Sequence, residues 1–328
     1  MEPFEPLFPN PHLATIAGNF AHRRLDAERY PVEDVCFQTC ADAKVLVRKQ
    51  SPANPPLAHV VMVHGLEGSS EAGYMRSMAQ LSLDDGFAVH RTNLRSCGGT
   101  ESLASTMYHA GLTSDTLAYL RSIRADTDLP IFLIGYSLGG NVALKLAGEL
   151  GSEATGLLSG VCAVSTPIDL GKSVRKMSNR ENRVYEWRFL SRLKKRIQKR
   201  AESMPGHYDL RVLKQARTVY EFDDAITAKH FGFGTAENYY STQSSIHYLP
   251  NIAIPTLLVQ AKDDPLIPFS LFTSPEVTTN PNVQLVAPSH GGHLGFLSKR
   301  PPRFWLDRVV VKWLINTLQR HKAAETEN

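Results

Sequence analysis

The chain is expected to adopt an α/β fold: a mostly parallel sheet, helices on both faces and a helical insertion. Three observations carry that expectation. Short apolar runs recur over residues 59–165 with helix-like stretches between them. These runs lack the alternation of a half-solvated strand, as expected where both faces are covered. After Pro167 the rhythm stops, and residues 168–248 are polar, helical in character and free of strand signals.

In chain order, the first thirty residues read as Pro-rich and irregular. Residues 32–39 and 44–49 are β-like, and the short Cys40-Ala-Asp-Ala43 link predicts an antiparallel hairpin. His59-Val-Val-Met-Val-His64 is a buried-type strand ending at Gly65. A helix is expected over 73–83, a strand over 87–93 and a helix over 109–125. The strand from Ile131 runs into Gly135-Tyr-Ser137-Leu-Gly139, a helix follows at once, and 160–165 is another strand. Strand signals resume at 255–260 and 283–287. The closing helix, 303–319, carries Trp305, Val309, Trp313 and Leu314 on one stripe suited to packing. The chain thus divides into a first core part (1–167), a helical cap (168–248) and a second core part (249–328). The cap is expected over the carboxyl end of the sheet, where open α/β sheets bind ligands.

Of 328 residues, 42% are hydrophobic, enough for a sizeable core. A net charge of +4 does not fit a nucleic-acid binder. No run approaches the ~18 apolar residues of a spanning helix. The start, Met1-Glu-Pro-Phe-Glu-Pro-Leu-Phe-Pro9, has neither the basic nor the apolar region of a signal peptide. A soluble cytoplasmic protein is expected. Cys36, Cys40, Cys97 and Cys162 lack metal-ligand spacing and are few for a disulfide framework. They are expected to be reduced, with Cys36 and Cys162 packed as small apolar groups. No metal and no cofactor is implied.

The chemistry points to Ser137. A strand, G-x-S-x-G and a helix in direct succession form a nucleophile elbow, a strained turn that lifts the serine hydroxyl above the sheet. The helix behind it aims N–H groups and its positive end at the same spot. The bland alternative is a glycine-bearing turn with Ser137 as helix N-cap. A serine hydroxyl needs a base, and the base needs a carboxylate to fix its tautomer. The order Ser, then Asp, then His is available. Asp264, in Asp263-Asp264-Pro-Leu-Ile-Pro268, is the chosen acid, with Asp263 the runner-up. His293, in Ser289-His290-Gly-Gly-His293, is the chosen base, and Gly291 and Gly292 let the backbone carry it across. His290 is read as supporting the loop. Backbone donors for a developing oxyanion are assigned to Leu66 and Leu138, and His64 to shaping the loop that carries Leu66. His12, His207, His230 and His247 are read as surface or structural.

With these segments in place, the chain resembles the YheT-like branch of the α/β-hydrolases, candidate esterases related to eukaryotic membrane-associated lipases. The matching segments are Pro9-Asn-Pro-His12, His64-Gly-Leu-Glu-Gly-Ser69, Asn93-Leu-Arg-Ser-Cys-Gly-Gly99, Tyr108-His-Ala-Gly111 with Asp115, Gly135-Tyr-Ser-Leu-Gly-Gly-Asn141 and Gly291-Gly-His-Leu-Gly-Phe296. Phe222-Asp223, Gly232-Phe233, Tyr239-Tyr240 and Asp263-Asp264 complete the likeness. Ser96 stands where the family usually has glycine, and Asn238 where it has an acidic residue or threonine. Cys97 and His109 are read as structural. The resemblance implies an α/β-hydrolase fold and hydrolysis of medium-chain or glyceride-like carboxylic esters; some relatives transfer acyl groups to alcohols.

The residues alone imply acyl transfer through a serine. Three readings stand: a serine esterase, an alcohol O-acyltransferase on the same triad, and a non-catalytic binding protein that kept the fold. The implied partner is a small-molecule ester, with no nucleic acid. Residues 187–200 are read as a helix with Trp187, Leu190, Leu193 and Ile197 near one face and a basic remainder. It is either a cap helix with its basic face in water or a lid that touches anionic lipid surfaces.

Overall fold

The computed structural model describes residues 3–326. Eight strands share one sheet: β1 (Glu33–Cys40), β2 (Ala43–Gln50), β3 (His59–Val63), β4 (Ala88–Thr92), β5 (Ile131–Tyr136), β6 (Gly160–Val164), β7 (Thr256–Val259) and β8 (Val283–Val286). Their spatial order is β1-β2-β4-β3-β5-β6-β7-β8. The β1–β2 hairpin and the β2–β4 pair are antiparallel, and every other pairing is parallel.

The central strands do not alternate because both faces are covered. Val60 and Met62 of β3 join one core with Phe132 and Ile134, while Val61 and Val63 join the other with Leu133. All are fully buried, each worth about 1.5–3 kcal/mol relative to exposure. The chain's helices are α1 (Pro11–Phe20), α2 (Gly73–Asp84), α3 (Ser114–Asp126), α4 (Leu138–Leu150), α5 (Leu170–Met177), α6 (Arg183–Ser203), α7 (Leu210–Gln215), α8 (Val219–Phe222), α9 (Ala228–His230), α10 (Ala236–Gln243), α11 (Pro275–Thr278) and α12 (Trp305–Thr326). Residues from α2 and α12 fill the first core; those from α3, α4 and the helices between β6 and β7 fill the second. Trp305, Val309, Trp313 and Leu314 of α12 are all buried, as their stripe predicts.

Four expectations need correction. Residues 11–20 are helical: the Asn10 side chain accepts the N–H groups of His12 and Leu13, and Pro11 holds the first helical position. The third helix starts at Ser114, not 109, because the Gly111 N–H donates to the His109 side chain and forms a local turn instead. Cys36 is exposed rather than packed, since it faces outward from the edge strand β1, whereas Cys162 is buried. On α6, Leu190, Leu193 and Ile197 are buried, but Trp187 is 69% exposed. The buried stripe continues at Glu186, one position around the helix.

Candidate active site

The parallel strands end level: Val63 pairs with Gly135, Tyr136 with Val164, and Val259 with both Val164 and Val286. Ser137 is the first residue past β5. It is held at φ 51° and ψ −121°, a conformation that L-residues rarely adopt. Its N–H donates to the Val164 carbonyl at 2.8 Å. A Cβ at Gly139 would lie 2.4 Å from the Val63 carbonyl oxygen, so glycine is what lets α4 start this close to β3. The Ser137 side chain makes no capping bond to α4. Its hydroxyl is therefore not spent on the helix.

That hydroxyl meets His293 instead, with Ser137 Oγ 3.0 Å from His293 Nε2. His293 Nδ1 lies 2.9 Å from Asp264 Oδ2. Asp264 is buried, and its carboxylate also accepts from Gln260 Nε2 (3.0 Å) and from the N–H groups of Leu266 (2.8 Å) and Ile267 (3.1 Å). A carboxylate at Nδ1 makes that nitrogen the donor and leaves Nε2 to accept from the serine. Asp263 turns the other way, pairing with His290 Nδ1 at 3.2 Å and accepting the Gly292 N–H at 2.9 Å. Asp263 and His290 thus brace the loop that carries His293. Gly292 has φ +56°, and a Cβ there would meet the Pro11 carbonyl at 2.5 Å. Thr15 of α1 accepts the His293 N–H at 2.9 Å, a contact that sequence reasoning missed by leaving residues 1–30 irregular. The Asn10-Pro11 helix start was the available signal.

Leu66 follows β3, Leu138 opens α4, and both line the space beside Ser137. The N–H groups flanking Leu66 are taken: Gly65 donates to Tyr74 Oη (3.0 Å) and Glu67 to Tyr108 Oη (2.9 Å). Among the described residues, the N–H groups of Leu66 and Leu138 meet no acceptor. His64 is fully buried; its Nδ1 donates to the Gly65 carbonyl (2.8 Å) and its Nε2 accepts the Leu94 N–H (3.1 Å). Burial pushes its pKa down to about 4, so it stays neutral and shapes the loop. The Glu67 carboxylate is gripped by Arg196 of α6 at 2.8 and 2.9 Å. Arg200, also buried, donates to Ser96 Oγ (2.5 Å) and to the carbonyls of Glu101 (2.8 Å) and Ser105 (2.6 Å). These two arginines correct the expectation of a wholly solvated basic face. An acid one residue past Leu66 was the sequence signal for a cationic partner.

Two clefts meet at Ser137 and His293. One is apolar, about 80 Å³, and walled by Met107, Leu138, Leu170, Met177, Val219 and Phe222. Asp223 also lines it, its pKa pushed up to about 6 by burial against the hydroxyl donors Tyr240 and Thr227. His109 lies in the same wall, edge-on to Phe231, Phe233 and Tyr239, and burial pushes its pKa down to about 3. The other cleft, about 550 Å³, is mixed in polarity and walled by Thr15, Ile16, Tyr185, Arg188, Phe189 and Arg192. The Cys97 thiol is buried, which raises its pKa and keeps it protonated. Among the described residues, no helix is long and apolar enough to cross a membrane.

The family described as the alpha/beta hydrolase fold matches residues 58–300. The candidate esterase YheT of Escherichia coli is 32% identical over 265 residues, 79% of this chain and 77% of that protein. Monoacylglycerol lipase ABHD2 of Danio rerio is 30% identical over 275 residues, 77% of this chain but 64% of the lipase. Among solved structures, the esterase Pf2001 of Pyrococcus furiosus superposes with a TM-score of 0.59 at 17% identity, covering 91% of this chain and 98% of the esterase. With its sheet order, its elbow and these relatives in agreement, the chain belongs to the alpha/beta hydrolase family and, within it, to the YheT-like branch.

Proposed function

We propose that this hydrolase cleaves carboxylic esters through an acyl-enzyme on Ser137. The carrying observation is the unbroken hydrogen-bond chain from Ser137 through His293 to Asp264, at 3.0 and 2.9 Å. Ser137 Oγ bonds to the ester carbonyl carbon while His293 Nε2 takes its proton. The carbonyl electron pair moves onto the oxygen, facing the N–H groups of Leu66 and Leu138. The pair returns, the bond to the alcohol oxygen breaks, and His293 passes its proton to that oxygen. Water then attacks the acyl carbon, gives a proton to His293, and Ser137 leaves with it. Asp264 orients the imidazole and steadies its positive charge. Oxyanion donors of this kind are worth about 3–4 kcal/mol each in the barrier.

The names of the relatives, an esterase and a monoacylglycerol lipase, support an ester substrate. The two clefts suit an asymmetric one, with the acyl chain in the narrow apolar cleft and the alcohol part in the wider mixed one. Medium-chain or glyceride-like esters fit that division. In this reading residues 168–248 are a cap on a core made of 1–167 and 249–328, and both clefts take walls from each. The four free cysteines favour a cytoplasmic location. Stopped-flow assays with p-nitrophenyl esters of graded chain length test the reading. A burst of one nitrophenolate per chain is expected, with free acid as product even when an alcohol is added. Accumulation of a new ester would mean acyl transfer, and no turnover at any chain length would end the proposal.

The surroundings of the wider cleft favour contact with an anionic lipid surface. Leu13, Ile16 and Phe20 are exposed at helical spacing along α1, and Val184 and Trp187 are exposed on α6. The two helices meet where His12 stacks on Tyr185 and Arg188 lies over the Phe20 ring. Among the ion pairs of the described residues, Arg188 and Arg192 have no acidic partner. Apolar side chains beside unneutralised cations suit the boundary of an anionic bilayer. Co-sedimentation with phosphatidylglycerol vesicles is expected to exceed that with phosphatidylcholine vesicles and to weaken with salt. A Phe20→Ser/Val184→Ser protein should lose it while hydrolysing soluble esters normally; equal, salt-insensitive binding would refute the contact.

A further inference from the structure

We infer that Arg196 is a positioning residue for the oxyanion loop, so that the placement of α6 and the stabilisation of the transition state are coupled. The inference rests on the ester-hydrolase reading of the same site.

The peptide between Gly65 and Leu66 is planar, so its C=O and N–H point in opposite directions. The Gly65 carbonyl accepts from His64 Nδ1 (2.8 Å) and from the Gly68 N–H (2.9 Å). Holding that carbonyl aims the Leu66 N–H the other way. The next peptide is pinned as well, because the Glu67 N–H donates to Tyr108 Oη. Tyr108 Oη in turn donates to Glu67 Oε1 at 2.9 Å, so one phenol closes a ring on a single residue. Glu67 sits at φ 55°, a conformation that a non-glycine residue keeps only when its surroundings hold it.

What holds the Glu67 side chain is Arg196. Its Nε and Nη2 form a two-pronged pair with both carboxylate oxygens, and it also reaches the Ser96 carbonyl. The carboxylate is buried, and among the described ion pairs Arg196 is its only partner. Tyr74, His64, Tyr108 and Gly68 all precede β6, whereas Arg196 alone comes from the helices between β6 and β7. A shift of α6 would strand a buried carboxylate one residue from the Leu66 donor. Breaking such a pair is strongly unfavourable, so the loop would have to rearrange to reach water.

The test compares Arg196→Gln and Arg196→Lys with the native protein on a soluble nitrophenyl ester. It also measures affinity for a trifluoromethyl ketone, which mimics the tetrahedral state, and for an uncleavable ether of the same shape. Arg196→Gln is expected to lower kcat and weaken the ketone together, by about 10- to 100-fold, less than the roughly 100- to 1000-fold lost when an oxyanion donor is removed outright, because the donor is displaced and not deleted. KM and ether affinity should stay within about twofold, the pattern of an interaction made only in the transition state. Arg196→Lys keeps the charge without the planar fork and should fall between. It carries the same test if the glutamine variant does not fold. Unchanged kcat with a lower melting temperature, or equal weakening of ketone and ether, would overturn the inference. A native protein that neither turns over esters nor binds the ketone would remove the hydrolase reading itself.

Discussion

Asp263 and Asp264 are adjacent in the chain and face opposite ways. Asp264 is buried against His293, and Asp263 holds the Gly292 N–H and His290. Asp264→Asn should lower kcat by about 10⁴-fold, because the amide favours the wrong imidazole tautomer. Asp263→Asn should cost far less in kcat and show mainly as a lower melting temperature. The same measurements on both proteins check this, and similar kcat losses would contradict the assignment. Thr15→Val removes the acceptor of the His293 N–H and should destabilise the protein by about 1–3 kcal/mol in denaturant unfolding. That Ser137, Asp264 and His293 come together was legible because each carries a local signature: the elbow, the Asp-Pro turn, the His-Gly-Gly-His loop. Thr15 and Arg196 were not, because they contact the site only through folding, at separations of 278 and 129 residues from their partners.

At the scale of elements, the central strands were legible because apolar runs with no alternation have few alternatives in an α/β chain. The face of α6 was not. Trp187 looks like core by composition, yet Glu186 takes the buried position with Ser178 Oγ as its partner at 2.6 Å. Arginines in a basic run look solvated until a buried acid and a row of carbonyls are found beneath them. The α4–β3 contact gives a sharper prediction. Gly139→Ala would drive a methyl into the Val63 carbonyl, pushing the elbow from the loop that bears Leu66. We expect kcat to fall at least about 100-fold, as for small misplacements of catalytic groups. Normal turnover in that variant would contradict the geometry of the elbow.

The whole molecule carries opposed acid responses. Burial pushes His64 to about 4 and His90 and His109 to about 3, each below the unfolded value of about 6.5. Each therefore contributes stability above pH 6.5 that is lost as pH falls toward 4, because the unfolded chain binds protons first. Between pH 7 and 5 this amounts to about 2 kcal/mol per histidine. Asp223 and Asp307 are pushed up by burial to about 6, so they favour the folded state as pH falls through 6, by about 1 kcal/mol each over the same interval. Stability in urea should thus drop by about 3–4 kcal/mol from pH 7 to 5; a rise would show that the histidines are not held neutral.

The assignment of Ser137 as the nucleophile is tested most directly by peptide mapping after reaction with a fluorophosphonate, beside ester turnover. One adduct per chain on the peptide bearing Ser137 is expected, with none on the Ser137→Ala protein and turnover there lower by at least about 10⁴-fold. An adduct on another residue, or native turnover by the Ser137→Ala protein, would contradict it.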